Sequence, residues 1–155
     1  MKKGNGILLV VFTLLIIPQL VGAHCEIPCG IYDDEARADL IAEHIGTVEK
    51  SMNEITRLSA EEKLDNNQIV RWITNKDAHA TKIQDIVWQY FMAQRIKPVD
   101  ESDIESYAKY VNELTLLHQI SVQAMKAKQT TDMAPVNEMK ALLAAFKKSY
   151  FAVSE

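Results

Sequence analysis

The sequence predicts an all-α protein: an antiparallel four-helix bundle preceded by a short N-terminal hook. Three observations carry this. Beyond residue 30, glycine occurs only at Gly46 and proline only at Pro98 and Pro135. Between these breaks, apolar residues return at steps of three and four, the repeat of one helix face. No stretch sustains the every-second-residue alternation of a half-buried strand.

The first helix is expected from about Asp34 to Leu58, with Ile41, Ile45, Val48, Met52 and Ile55 on its buried face. Asp65-Asn66-Asn67 offers N-cap candidates for a second, from about Asn66 to Ile96. Its stripe is Ile69, Trp72, Ile73, Ala80, Ile83, Val87, Tyr90 and Phe91, and Lys97-Pro98-Val99-Asp100 stops it. Ser102 can cap a third helix ending near Ala127, with Glu105 at capping-box spacing. The third stripe reads Ile104, Tyr107, Val111, Leu114, His118, Ser121 and Met125. Pro135 suits the first turn of a fourth helix, about Val136 to Phe151, carrying Val136, Met139, Leu143, Phe146 and Tyr150. Short connections favour antiparallel neighbours. These stripes are core, and a bundle by itself leaves function open.

The first 23 residues read as an export signal. Met1-Lys2-Lys3 supplies positive charge, Ile7–Ile17 is apolar except for Thr13, and Val21-Gly22-Ala23 offers small residues before a cut. An uncleaved anchor fits less well, because the run falls short of the roughly 20 residues that span a bilayer. A lipoprotein site needs a small residue before Cys25, and His24 stands there. The expected organisation is a cleaved signal at 1–23, a hook at 24–33 and the bundle at 34–155, with an exported, periplasmic or extracellular, product. Lys2 and Lys3 leave with the signal, so 15 basic side chains face 21 acidic ones, a formal charge of −6. No basic stripe or second membrane-length apolar run remains, which argues against nucleic acid and membrane as partners.

The hook, His24-Cys25-Glu26-Ile27-Pro28-Cys29-Gly30-Ile31-Tyr32, carries the chemistry. Cleavage after Ala23 frees the α-amine of His24. That amine and the Cys25 amide nitrogen close one five-membered chelate ring on a metal, and the amide nitrogen and Cys25 sulfur close a second. Cys29 returns a second sulfur. The planar set of two nitrogens and two sulfurs suits Ni(II) or Cu(II), and the His24 imidazole remains as an axial ligand for a higher oxidation state. Pro28 tolerates a cis bond at modest cost, and Gly30 reaches backbone angles closed to other residues. A plain Cys25–Cys29 disulfide is the competing reading in an exported chain, but it needs neither His24 nor Tyr32. Zinc prefers a tetrahedral site, which an amine–amide chelate disfavours.

The hook resembles that of nickel-containing superoxide dismutase, whose pattern is H-C-x-x-P-C-G-x-Y at the mature N-terminus. His24, Cys25, Pro28, Cys29, Gly30 and Tyr32 occupy all six fixed positions. Stretches such as Leu64–Gln94 and Ala124–Asp132 also read like later helices of that family, a four-helix bundle. The resemblance implies one nickel ion per chain, bound by His24, Cys25 and Cys29, and a cis Ile27–Pro28 bond. It implies a catalytic Tyr32 whose hydroxyl stands near the substrate or an ordered water, and a homohexamer. The implied reaction is conversion of superoxide to O2 and hydrogen peroxide by Ni(II)/Ni(III) cycling.

Two features depart from the better-known branch, which has a polar leader and works in the cytoplasm. The leader here is of secretion type. That branch also steadies the axial imidazole with a glutamate and an arginine; the nearest positions here are Asp39 and His79. His44 is expected at the surface or an interface, His118 in the core, Glu26 as an acceptor for loop amides and Glu61-Glu62-Lys63 as a solvated bend. The alternative function is an exported helical metal-binding or thiol–disulfide protein without catalysis.

Overall fold

The computed structural model describes residue 28 and residues 30–152. The expected leader and the three expected metal ligands, His24, Cys25 and Cys29, lie outside the described residues. The chain divides into two units, Met1–Tyr32 and Asp33–Glu155.

The second unit is the expected all-α bundle. Helix α1 (Asp34–Ser59) starts where Asp33 accepts the Ala36 N–H. Helix α2 (Asn66–Asp85) is capped by Asp65, which accepts from Gln68 N–H, and continues into a π-helical segment (Ile86–Arg95). Helices α3 (Ile104–Lys128) and α4 (Ala134–Tyr150) follow, with Pro135 in the first turn of α4. Among the described residues, no helix is long and apolar enough to cross a membrane.

Cross-helix contacts fix the directions. Asp39 meets Lys147 and Glu49 meets Lys140, so α1 and α4 run antiparallel. Ser51 meets Asn75, His44 meets His79 and Asp34 meets Arg95, which does the same for α1 and α2. Lys76 reaches Ala127 while Trp88 reaches Ser121, so α2 opposes α3. The core between them holds Ile41, Ile45, Val48, Met52, Ile83, Val87, Leu117, Ile120, Val136, Met139 and the edge-packed rings of Phe91 and Phe146.

The expected faces of α1 and α4 are the buried ones. The face of α3 is rotated from its expected place. Leu117, Ile120, Ala124 and Ala127 are buried there, whereas Ile104, Val111 and Met125 are exposed and His118 is at the surface rather than in the core. The physical reason is size. Ala124 and Ala127 weigh little in a hydropathy stripe but let helices approach closely, and Glu113 is buried on the same face. Ile73 is likewise exposed. The cap of α3 is Asp103, accepting from Ser106 N–H, while Ser102 donates to Asp100.

The buried Lys76 has no counterpart in any stripe. Its ammonium donates to the carbonyls of Ala127 (2.9 Å), Lys128 (2.8 Å) and Thr130 (3.2 Å), where the last turn of α3 leaves acceptors unpaired. The negative end of the α3 dipole surrounds this charge, and the nearest carboxylate, Asp77, is 3.7 Å away. Lys76→Met keeps the side-chain length and strips three acceptors of their donor. Urea denaturation is expected to show a loss of about 2 kcal/mol or more.

Candidate metal centre

In the first unit, the Ile31 N–H donates to the Pro28 carbonyl at 2.8 Å, closing a four-residue turn. Gly30, at its third position, has φ 85°, the left-handed angle a type II turn requires there. A Cβ added at Gly30 would meet no atom within 4 Å. The cost of Gly30→Ala is therefore backbone strain alone, about 1–2 kcal/mol, confined to the hook. The expected result is lower nickel occupancy with an unchanged bundle melting temperature, read by metal analysis beside calorimetry. Tyr32 follows the turn with its side chain partly exposed.

The second unit begins with a polar clamp that the stripes do not announce. Asp34, in the first turn of α1, accepts from Arg95 Nε (2.8 Å) and Nη2 (2.8 Å) and from the hydroxyls of Tyr90 (2.7 Å) and Tyr150 (2.7 Å). The Tyr90 oxygen in turn accepts the Asp33 backbone N–H at 2.9 Å. Tyr90 and Arg95 are five residues apart, a spacing that shares one face in a π-helix but not in an α-helix. The π segment thus brings both to one carboxylate. Burial pushes the Asp34 pKa up, but the hydrogen bonds from Arg95, Tyr90 and Tyr150 outweigh it and hold the carboxyl below its usual range. Burial and the Asp34 bond push both tyrosines up to about 12. The clamp fixes the start of α1, two residues after Tyr32.

Asp39 and His79, the positions considered for steadying the axial imidazole, have other partners. Asp39 is exposed and pairs with Lys147 at 2.7 Å. His79 lies on His44, with the two Nδ1 atoms 3.1 Å apart. His44, expected at the surface or an interface, is buried at 9% exposure where α2 covers it. Burial lowers the pKa of both imidazoles. His79 and Lys82 lower His44 further while Glu43 raises it, and Lys82 also lowers His79. The unfolded chain therefore takes up protons near pH 6.5 that the folded pair refuses, so stability rises with pH through this window. The melting temperature is expected to fall as pH drops from about 7 to about 5.5, and the slope to flatten in His79→Gln.

Among the described residues, no group of three or more His, Cys, Asp or Glu side chains is placed to hold a metal. The donors expected for a metal, His24, Cys25 and Cys29 of the hook, lie outside the described residues. An amine, a backbone amide and two thiolates would suit nickel by their donor chemistry, and Gly30, next to Cys29 in the sequence, has the positive φ of a tight turn.

A family model described as nickel-containing superoxide dismutase matches residues 19–153, which takes in the hook and all four helices. No curated protein and no solved structure matches the chain. The match spans most of the sequence, and an enzyme family replaces the non-catalytic alternative. The chain belongs to the nickel-containing superoxide dismutases, oxidoreductases that use nickel to dismute superoxide.

Proposed function

We propose that the nickel of this dismutase sits in the N-terminal hook, one ion per chain. The His24 α-amine and imidazole, the Cys25 amide nitrogen and the sulfurs of Cys25 and Cys29 would hold it. The observation that carries the reading is a family match that includes residues 24–32, with all six fixed hook positions present. Bound nickel supplies the one-electron redox chemistry of dismutation.

The chain's own groups do the rest. Thiolate and amide donors would favour the higher oxidation state of the ion, and the Gly30 turn would help Cys29 return to it. Tyr32 directs its hydroxyl to the substrate anion or an ordered water, orienting it and excluding bulkier anions. The net negative charge of the chain gives superoxide no long-range attraction, so capture is local.

We further propose that residues 1–23 are a signal removed on export, that the mature protein works outside the cytoplasm, and that it assembles as a homohexamer. X-ray absorption on purified, nickel-loaded protein tests the ligand set. Two sulfur scatterers are expected, one in Cys29→Ser; an all-nitrogen and oxygen shell would refute it. Light scattering at the mass of six mature chains tests the assembly, and cell fractionation tests the export.

A further inference from the structure

The geometry points to a second metal site, independent of the hook, in which His44 and His79 bind one borderline divalent ion such as Zn(II) through their Nδ1 atoms. The two nitrogens lie 3.1 Å apart across the α1–α2 interface, with ring centres 4.9 Å apart and ring planes at 80°.

These distances fit a bent hydrogen bond in the absence of metal and equally fit a shared ion. A straight N–H···N bond of this length would place the ring centres about 5.4 Å apart, one ring radius beyond each nitrogen. The observed separation is shorter, so the ring axes bend away from the N···N line. A shared ion demands such a bend. Nitrogens about 2.05 Å from one ion and 3.1 Å from each other subtend about 98° at it, between square-planar and tetrahedral angles, and put the ring centres about 4.8 Å apart.

The surroundings suit neutral imidazoles. Burial and the neighbouring Lys82 disfavour protonation of both rings, which leaves their lone pairs available at neutral pH. Glu43 beside His44 favours a cation and Lys82 opposes one. His79 is only partly buried, giving an ion a route in, and water completes the coordination. The ion would staple α1 to α2 midway along their contact.

The test is zinc titration of purified, nickel-loaded protein, followed by calorimetry and by melting temperature with and without zinc. One further zinc per chain and an upward melting shift are expected. His44→Gln and His79→Gln should each weaken that binding by about tenfold or more, the scale of a lost metal partner. Because each variant is compared with itself, a lower baseline stability does not mask the result. Cys25→Ser/Cys29→Ser, which destroys the hook, should keep the zinc site. No further zinc, zinc binding in both histidine variants as tight as in the unsubstituted protein, or loss of zinc in the cysteine variant would each overturn the proposal. The cysteine variant also separates failure of this site from failure of the hook assignment.

Discussion

One extra residue ahead of His24 is expected to abolish both nickel binding and superoxide turnover. The extension turns the primary amine into an amide nitrogen in a longer chain. The terminal chelate ring then lacks its basic donor, and the His24 imidazole starts from a displaced backbone. Both thiolates, the whole bundle and its melting temperature are untouched, so the defect is local to the ligand set. Loss of an outer-shell metal partner alone costs roughly 10–100-fold, and loss of a ligand should exceed that. The measurement is nickel per chain and kcat/KM for material beginning at Ala23 against material beginning at His24. Activity that survives the extension would remove the amine from the site.

The second large effect concerns Asp34. Asp34→Ala leaves the Arg95 guanidinium and two tyrosine hydroxyls without their common acceptor. Both charged partners are mostly buried, with side-chain exposures of 17% for Asp34 and 28% for Arg95. Removing one member of such a pair costs about 3–5 kcal/mol, the lower end being apt where some solvent reaches Arg95. Asp39→Ala is the internal control. Its ion pair with Lys147 is also short, but its side chain is 64% exposed, and such surface pairs contribute about 1 kcal/mol or less. Denaturant midpoints of the two variants should therefore differ widely. Equal midpoints would show that the clamp does not hold the start of α1. The depressed Asp34 pKa has a matching consequence. Its contribution is complete above the unfolded-chain value of 3.8 and disappears as pH falls through the lower folded value, so Asp34→Ala should also blunt acid unfolding.

How much of this was legible in the sequence depends on whether the signal was local. The faces of α1 and α4 could be read because large apolar side chains hold most of the inward positions. The face of α3 could not, since Ala124, Ala127 and the buried Glu113 share the inward places with Leu117 and Ile120 while Ile104, Val111 and Met125 are exposed. Asp65 is legible as a cap, but Ser102 and Asp103, one residue apart, both fit a cap by type, and only the structure assigns it to Asp103. The Asp34 clamp joins residues 56, 61 and 116 positions apart, and no local pattern foretells it. The same holds for Lys76, buried by the open carbonyls of a distant helix end, and for His44 against His79. The hook is the opposite case. Its proposed donors lie within nine consecutive residues, so the sequence alone suggests them, and of the hook the structure describes the turn closed by Pro28 and Ile31.

The central claim is that a free histidine amine beside two cysteines makes this protein a nickel dismutase. Native mass spectrometry of the purified active fraction, read against superoxide turnover in the same sample, tests it most directly. The expected species begins at His24, carries one nickel per chain and consumes superoxide. A species with that same free terminus, fully loaded with nickel yet inert toward superoxide, would contradict it.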